Sequence, residues 1–271
     1  MEKRRADLLL VAQGLAPSRE RAQALIRAGQ VTANGRPVTK PAALLDENAA
    51  LVLADGAVLP FVSRGGFKLQ KAVQRYALDL AGCSAADVGA STGGFTDCML
   101  QCGAAHVWAI DVGTDQLAPS LRADPRVTVM EQTNAREMTP AWFPAPLDFA
   151  ATDVSFISVR LILPAMYPCL RSGAQAVILV KPQFEAGRGR VGKNGVVRDA
   201  AVHTDVLAGT AGFAAALGFS VRALDFSPIT GPEGNIEFLM VLEKGDSVGI
   251  PDIPAEAVRV VREAHAFFAG A

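Results

Sequence analysis

Short apolar runs alternate with longer segments of helical spacing along most of this chain. From about residue 83 onward, each run has the length and composition of a buried strand, and the segments between the runs have the periodicity of helices. The runs span residues 84–88, 106–112, 127–131, 149–153, 175–180, 221–227 and 236–242. This alternation predicts an α/β fold in which a largely parallel sheet is covered by helices on both faces.

The front of the chain predicts a separate and smaller α+β domain over residues 1–60. An amphipathic stretch over residues 5–13 is followed by a second helix, which Ser18 caps. That helix runs through Arg27 and is stopped by Gly29. Short strand-like pieces follow, and an asparagine–glycine turn typical of a hairpin joins the first two. The pieces span residues 30–33, 37–39 and 50–54, and the turn is Asn34-Gly35.

A glycine pair separates the front domain from the rest of the chain. Gly65-Gly66 marks residues 61–66 as a linker, and the spacing after it predicts a helix over residues 67–80. The main domain then spans residues 67–245, and residues 246–271 form a tail with a helix predicted over 255–268.

Positive charge is concentrated at the front of the chain. The 271 residues include 26 lysines and arginines against 27 acidic residues, which gives a formal net charge of −1. Residues 1–40 nevertheless hold eight basic residues against three acidic ones. The total charge therefore gives no reason to expect a nucleic-acid partner, whereas the charge of the front domain does.

Composition disfavours membrane and metal-binding functions. No apolar run approaches the ~18 residues of a membrane span, and the N-terminus lacks the pattern of a signal peptide. We therefore expect a cytoplasmic protein without membrane association. The four cysteines form no CxxC pair, which is typical of buried thiols in a reducing compartment, and we expect no metal site. Nothing in the sequence demands a dimer, so a monomer is expected.

A glycine-rich turn after the first strand of the main domain predicts a ligand site. It occupies residues 87–95, between a strand and a helix, where the backbone can approach a small molecule closely. A dinucleotide-binding loop needs a glycine where Ser91 stands, so NAD is disfavoured. Asp111 lies 24 positions after Asp87, at the end of the next strand, where a carboxylate can accept both hydroxyls of a ribose.

Two later strand ends complete this predicted site for an adenosine-like ligand. Asn134 is placed to reach an adenine edge, and Asp153 is placed to close the opposite side. The candidate cofactor-binding residues are Asp87, Gly89, Ser91, Thr92, Gly93, Gly94, Phe95, Asp111, Asn134 and Asp153.

Four ionisable residues are predicted to meet at the same edge of the sheet. Lys181 and Asp153 each follow an apolar strand, and Glu237 lies within the last predicted strand. Lys68 lies in the predicted helix after the linker. A buried lysine is rarely only structural, and a carboxylate in an apolar strand needs a cation nearby. The four are therefore candidates for a catalytic group, although each alone is also compatible with a surface ion pair.

Specific motifs run from about residue 3 to residue 244. In the front domain they comprise Arg5, Asp7, Leu10, Gly14, Ser18-Arg19, Ala22, Ile26, Gly29, Val31, Asn34-Gly35 and Lys40-Pro41. In the linker and the main domain they comprise Val62-Ser63-Arg64-Gly65-Gly66, Asp87-Val88-Gly89, Thr92-Gly93-Gly94-Phe95-Thr96-Asp97, Asp153-Val154-Ser155-Phe156-Ile157-Ser158 and Val180-Lys181-Pro182-Gln183-Phe184-Glu185. These motifs resemble those of a known family, the TlyA group of hemolysin A-like proteins within the FtsJ/RrmJ-like ribose 2′-O-methyltransferases.

The resemblance implies a fold, an activity and a cofactor. The fold is a Rossmann-like class I methyltransferase sheet preceded by an alpha-L type RNA-binding domain. The cofactor is S-adenosylmethionine, and the substrate is ribosomal RNA, often within an assembled subunit. The family's catalytic tetrad falls on Lys68, Asp153, Lys181 and Glu237. We expect Lys181 to contact the attacking ribose oxygen and Lys68 to stabilise the ribose or its phosphate, with these two roles open to exchange, while the carboxylates orient both lysines.

Two surfaces are candidates for binding ribosomal RNA or ribosomal subunits. One is the basic face of the front domain, which can bind phosphates. The other is a glycine-rich loop over residues 183–197, which is either a mobile loop over the substrate or an ordinary solvent loop. Aromatic stacking platforms are not evident in the sequence. The candidate RNA-binding residues are Arg4, Arg5, Ser18, Arg19, Gln23, Arg27, Lys40, Arg64, Arg188, Arg190 and Lys193.

Three other interpretations are compatible with parts of the sequence. A noncatalytic RNA-binding or ribosome-assembly factor would keep the fold without turnover, but the intact tetrad disfavours it. A hemolysin, which the historical family name suggests, is disfavoured because the sequence holds no strongly amphipathic cationic helix. An NAD-linked oxidoreductase is disfavoured by Ser91.

Overall fold

The computed structural model of the protein describes residues 3–13, 15–16, 19–54, 61–245 and 247–269, apart from the side chains of residues 188 and 193. Ser18, which the sequence predicts as a helix cap and an RNA contact, lies outside the described residues. The chain divides into two units, residues 1–64 and 65–271, and each has its own hydrophobic core.

The first unit combines two helices with two small antiparallel sheets. The helices pack against each other, one sheet has the order β3-β2-β5, and the other pairs β1 with β4. Leu9, Leu10 and Ile26 from the helices are buried with Val31 from β2. The elements are β1 (Lys3–Arg5), α1 (Ala6–Ala12), α2 (Arg19–Arg27), β2 (Val31–Ala33), β3 (Arg36–Pro37), β4 (Leu44–Asp46) and β5 (Leu51–Leu53).

The predicted hairpin turn is confirmed. Asn34 and Gly35 have φ angles of 50° and 76°, the left-handed pair that a tight turn between β2 and β3 requires. The third strand is Arg36–Pro37 rather than residues 37–39. Strands β1 and β4 were not predicted from the sequence, because three residues are too few to show a two-residue period.

The second unit is built on one seven-stranded sheet, and all seven strands predicted from the apolar runs are present. Its helices are α3 (Gly65–Arg75), α4 (Gly94–Gln101), α5 (Pro119–Arg122), α6 (Leu163–Cys169), α7 (Pro182–Glu185), α8 (Ala200–Ala216) and α9 (Ile253–Ala269). Its strands are β6 (Ser84–Val88), β7 (His106–Ile110), β8 (Val127–Met130), β9 (Leu147–Thr152), β10 (Leu170–Val180), β11 (Phe219–Phe226) and β12 (Phe238–Lys244).

The sheet has the order β11-β12-β10-β9-β6-β7-β8. Strands β10, β9, β6, β7 and β8 are parallel, and β12 is antiparallel to both of its neighbours. Residues 176–180 of β10 are all buried, as expected for a central strand that is covered on both sides. The predicted fold class, a mostly parallel Rossmann-like sheet behind a small α+β domain, is therefore confirmed.

This topology brings an end of each of the seven strands to one edge. The carboxyl ends of the five parallel strands and of β11, which runs in the same direction, lie there, and the reversed direction of β12 brings its first residues to the same edge. That edge is where ligands bind in open α/β sheets.

Several predicted boundaries in the second unit were wrong. Helix α3 begins at Gly65, inside the predicted linker of residues 61–66. Helix α3 ends at Arg75 instead of continuing to residue 80, because Ala77 has a left-handed φ of 49°. The Leu78 N–H then bonds to the Val73 carbonyl at 3.0 Å, which closes the helix. Glu237 directly precedes β12 instead of lying within it, although its carbonyl still accepts the Ser227 N–H at 2.8 Å.

The predicted helix near the C-terminus is confirmed as α9, which packs against α8 and β11. None of the helices in the described parts of the chain combines the length and apolar character that crossing a membrane requires.

A histidine pair joins these two helices. His203 on α8 is fully buried, and its Nδ1 lies 2.9 Å from Nε2 of His265 on α9. Its Nε2 lies 3.1 Å from the Val197 carbonyl, so the neutral ring donates to Val197 and accepts from His265. Burial, together with His265, lowers the pKa of His203 from 6.5 to about 4.

The His203 pair predicts acid sensitivity. Because its folded-state pKa lies below 6.5, the stability that neutral His203 contributes is present above pH 6.5 and is lost as pH falls towards 4. Between pH 7 and pH 4, we expect the free energy of unfolding to fall by roughly 2 kcal/mol less in His203→Gln than in the wild-type protein. Urea titrations at both pH values measure it, with His106→Gln as the control. An unchanged decrease in His203→Gln would contradict this assignment.

Candidate active site

Four charged side chains from different elements converge at the carboxyl edge of the sheet. Lys68 comes from α3, Asp153 follows β9, Lys181 follows β10, and Glu237 precedes β12. Lys68, Lys181 and Glu237 are buried, with exposed fractions of 5%, 7% and 1%. The predicted tetrad residues are therefore neighbours in the structure.

The two lysines are held by the two carboxylates in a chain of ion pairs. Lys68 Nζ lies 2.8 Å from Glu237 Oε2 and 3.2 Å from Asp153 Oδ2. Lys181 Nζ lies 2.5 Å from Asp153 Oδ1. Asp153 thus bridges the lysines, and two positive charges are balanced by two negative charges in a site that is closed to most water.

Lys68 remains charged in this setting. Burial by itself lowers the pKa of Lys68, but Asp153 and Glu237 outweigh burial and raise it above the ordinary lysine value. A lysine that is held protonated cannot take a proton at neutral pH. Lys68 is therefore suited to stabilise negative charge and to fix the two carboxylates.

Lys181 is the tetrad lysine whose nitrogen faces a loop. Besides its ion pair with Asp153, its Nζ donates to Ser155 Oγ at 2.8 Å. The ring of Phe184 lies 6.0 Å away. An ammonium group has three N–H donors, and the third has only a long contact of 3.5 Å to the Asp153 carbonyl, which a further acceptor can replace.

Glu237 fits against its neighbours only because residue 231 is glycine. A Cβ at Gly231 would lie 2.8 Å from Glu237 Oε1, closer than real Cβ contacts. The sequence analysis did not identify Gly231, since a glycine in a loop gives no signal of what packs against it.

The glycine-rich turn joins β6 to α4, and Asp87 fixes its shape. Gly93, the residue before α4, has a φ of 93° and offers no side chain to cap the helix. Asp87 supplies the missing cap, because its Oδ2 accepts the Thr96 N–H at 2.8 Å and the Thr96 hydroxyl at 2.7 Å. Burial raises the pKa of Asp87 to about 7, although the bonds from Thr96 lower it.

The turn lies directly against the tetrad. Gly89 has a φ of 85°, and a Cβ there would lie 3.1 Å from the backbone of Asp153. Any other residue would therefore be strained and would push Asp153 away. The backbone of the turn packs against the backbone of Asp153 because residue 89 is glycine.

Asp111 closes the turn from the end of β7. Its Oδ2 accepts the Ser91 N–H at 2.8 Å, and its Oδ1 accepts the Gly113 N–H at 2.7 Å. Each carboxylate oxygen has a second lone pair, so both can still accept a hydroxyl. Ser91 and Thr92 are exposed beside it, whereas Gly93, Gly94 and Phe95 are buried.

Asn134 follows β8, as predicted, and is half-buried. Its Oδ1 accepts the Arg136 N–H at 3.2 Å, and its Nδ2 donates to Glu137 at 3.0 Å. The side chain therefore caps the short helix that follows. A contact from Asn134 to an adenine stays a prediction.

Three residues that the sequence analysis quoted only as parts of motifs shape the rim of the site. Glu185 has a side chain that is 2% exposed, and it accepts the Ser158 hydroxyl and the Val159 N–H, both at 2.6 Å. It thereby ties the segment after Lys181 to the segment after Asp153. The other two are Ser155, which meets Lys181, and Phe156.

Phe156 is an exposed aromatic residue beside the tetrad. It is 88% exposed and has a left-handed φ of 66°, which is rare and costly for a bulky residue. Its ring centroid lies 5.3 Å from that of Phe184. An aromatic surface is therefore exposed at the site. The sequence analysis did not identify it, because a single phenylalanine in an apolar motif gives no sign that its side chain is exposed.

Asn235 anchors the glycine-rich loop after Lys181. Its buried amide donates to the Gly195 carbonyl at 3.0 Å and accepts the Val197 N–H at 2.9 Å. In the same loop, the side chain of Arg190 donates to the Ala186 carbonyl and to Asp205. The side chains of the predicted RNA contacts Arg188 and Lys193 lie outside the described residues.

The other predicted RNA contacts belong to the first unit. Arg4, Arg27 and Lys40 are exposed, and Arg64 is half-buried. Arg4 lies 3.7 Å from Glu47 in an exposed pair that contributes little stability. Arg5, Arg19 and Gln23 all bond to one buried carboxylate, that of Asp7.

Both units match known protein families. Residues 61–244 match the FtsJ-like methyltransferase family, and residues 4–51 match the S4 domain.

Individual relatives match over most of the chain. YqxC of Bacillus subtilis, provisionally named an rRNA methyltransferase, is 49% identical over 97% of this chain and 95% of its own length. TlyA of Mycobacterium tuberculosis, named a 16S/23S rRNA (cytidine-2′-O)-methyltransferase, is 45% identical over 88% of this chain and 89% of its own length. A solved structure from Streptococcus thermophilus, provisionally named a hemolysin, has a TM-score of 0.77 and 49% identity and covers 100% of this chain and 98% of its own.

The buried ion pairs predict a large cost for removing one partner. Glu237→Ala leaves Lys68 with a single carboxylate, and we expect it to lower the free energy of unfolding by roughly 2–3 kcal/mol. Glu263→Ala removes an exposed pair with Arg259 on α9 and should cost less than about 1 kcal/mol. Denaturant titration at pH 7 compares the two variants. Equal costs would mean that Lys68 does not depend on Glu237 for its charge.

Proposed function

This chain belongs to the FtsJ-like methyltransferase family, and on that premise we propose that it methylates a ribose 2′-hydroxyl of ribosomal RNA with S-adenosylmethionine as methyl donor. The family resemblance drawn from the sequence is confirmed by the match over residues 61–244. The observation that carries the proposal is the ion-paired group of Lys68, Asp153, Lys181 and Glu237, three of them buried, beside a glycine-rich turn. The rRNA 2′-O-methyltransferase name of the 45%-identical relative supports the substrate class.

The residues around the glycine-rich turn fit S-adenosylmethionine. Gly89 has no side chain, so the turn can lie against the backbone of Asp153, and Asp111 keeps lone pairs for two ribose hydroxyls. Within the described part of the chain, Oδ1 of buried Asp87 has no hydrogen-bond partner, so this carboxylate suits a nearby positive charge. Ser91, Thr92 and Asn134 line the remaining strand ends of the same edge.

When bound, S-adenosylmethionine supplies a methyl group on a positively charged sulfur, and no metal is needed to activate it. The protein's task is then to align a weak nucleophile and to stabilise the charge that builds on it. The third N–H donor of Lys181 exchanges its long contact with the Asp153 carbonyl for the ribose 2′-oxygen as that oxygen becomes negative. The hydroxyl proton leaves to water, since the carboxylates are engaged by the lysines.

The other members of the tetrad hold Lys181 in place. Asp153 fixes its Nζ through Oδ1 and is itself fixed through Oδ2 by Lys68. Glu237 keeps Lys68 charged from the far side. In this arrangement the amino group of Lys181 is held in position before the reaction begins, which reduces the cost of reorganisation.

RNA is held by two parts of the chain in this proposal. The S4 domain match and the exposed arginines of the first unit support binding of phosphates. Phe156 supports a second contact, because an exposed ring beside the catalytic group can stack on the base of the nucleotide whose ribose is methylated. Arg188, Arg190 and Lys193 in the glycine-rich loop complete the proposed RNA contacts.

The direct test is transfer of radiolabelled methyl from S-adenosylmethionine to unmodified small and large ribosomal subunits. We expect Lys181→Ala to lower the rate by at least ~10²-fold, because charge on the attacking oxygen loses its partner. Lys71→Ala, which removes a half-buried lysine paired with Asp225, serves as the matched control and should keep most of the activity. Near-normal transfer by Lys181→Ala would overturn the assignment. Absence of label on both subunits with the wild-type protein would favour a noncatalytic assembly role.

The proposed stacking role of Phe156 has its own prediction. Phe156→Ala should raise the KM for ribosomal subunits by roughly tenfold, the loss expected for one base stack, and should leave the affinity for S-adenosylmethionine unchanged. Leu161→Ala, which removes another exposed apolar side chain nearby in sequence, is the control. An unchanged KM for Phe156→Ala would remove the residue from the RNA-binding surface.

A further inference from the structure

A single buried carboxylate gathers three polar side chains in the first unit. Asp7 is 0% exposed. Its oxygens accept Nε and Nη2 of Arg5 at 3.0 and 2.9 Å, Nε of Arg19 at 3.0 Å and Nε2 of Gln23 at 2.8 Å. These bonds outweigh the effect of burial and hold the pKa of Asp7 well below its usual range.

The local sequence explains this convergence. Arg5 directly precedes α1 and Asp7 lies in its first turn, so the two side chains are close enough to pair. Arg19 and Gln23 are four positions apart on α2 and therefore share one helix face. The packing of α1 against α2 brings that face to Asp7.

Both arginines keep donors for another partner. A guanidinium group has five N–H donors, of which Arg5 uses two on Asp7 and Arg19 uses one. The side chains of Arg5 and Arg19 remain 36% and 52% exposed. Two guanidinium groups thus share one carboxylate. The N–H donors that do not bond to Asp7 are left on the exposed side of each group, whose orientation Asp7 fixes.

We propose that Asp7 is a positioning residue that holds Arg5 and Arg19 together as a binding site for an RNA phosphate. This inference rests on the proposed RNA substrate. A phosphate is bound best by guanidinium groups that present two N–H donors each in a fixed plane. Asp7 removes the rotational freedom of both side chains before RNA arrives, which lowers the entropic cost of binding.

The direction in which one substitution changes RNA affinity distinguishes a positioning role of Asp7 from a purely electrostatic one. Asp7→Asn removes a negative charge from a basic face, so electrostatics alone predicts tighter RNA binding. Positioning predicts the opposite, because asparagine cannot accept from both arginines as a charged carboxylate does. The matched control is Glu20→Gln, which removes an exposed negative charge from the same unit and should bind RNA as tightly as the wild type or more tightly.

The experiment measures binding of the full-length variants to purified ribosomal RNA over a range of salt concentrations, without methyl transfer. We expect Asp7→Asn to bind about tenfold more weakly and to lose about one unit in the slope of log K against log salt, which corresponds to one phosphate contact. Wild-type or tighter binding by Asp7→Asn would overturn the proposal. Failure of the wild-type protein to bind RNA would instead contradict the proposed function.

A second variant keeps the test decisive if Asp7→Asn does not fold. Arg19→Lys keeps the charge, but a lysine is a single donor group that can pair with Asp7 or with a phosphate and not with both in a fixed plane. We expect the same loss of affinity and slope in this variant, with far-UV circular dichroism like that of the wild type. Unchanged RNA binding by folded Arg19→Lys would overturn the proposal.

Discussion

The structure of the second unit depends on placing two lysine ammonium groups among two carboxylates inside a protein. Any one of these charges, buried alone, would cost several kcal/mol, so the four are stable only as a set. Asp153 is the shared member, because each of its oxygens pairs with a different lysine. Gly89 and Gly231 are required around the set, since a Cβ at either position would displace one of the carboxylates or its backbone.

The sheet and its loops bring these charges together from distant parts of the sequence. The parallel strands β9 and β10 place Asp153 and Lys181 at one edge of the sheet. Strand β12 is antiparallel to β10 and therefore places Glu237 at the same edge. Glu185 then ties the two segments that follow β9 and β10, and Asn235 fixes the loop beyond Lys181. A similar arrangement is found in the first unit, where buried Asp7 fixes the side chains of two surface arginines. In each unit one carboxylate fixes the positions of two cationic side chains.

Much of this arrangement could be predicted because it depends on strand ends. The apolar runs located every strand of the main sheet, and the polar residues just after them marked the edge where Asp111, Asp153 and Lys181 lie. The predictions that failed depend on local backbone conformations or on tertiary contacts, which the pattern of apolar residues does not show. The end of α3 is set by the backbone conformation of Ala77, and the exposure of Phe156 by a strained turn. The contacts of Asp7 were missed because nothing in a lone aspartate shows that three side chains will converge on it.

The central claim is that the buried tetrad directs a methyl group to a ribose oxygen, and the chemistry of RNA itself provides the most direct measurement. Alkali cleaves RNA through the free 2′-hydroxyl, so a methylated ribose protects the bond that follows it. Ribosomal RNA labelled by this protein with radioactive S-adenosylmethionine should therefore give its label in an alkali-resistant dinucleotide. Label recovered only in mononucleotides would place the methyl group on a base and would contradict the account.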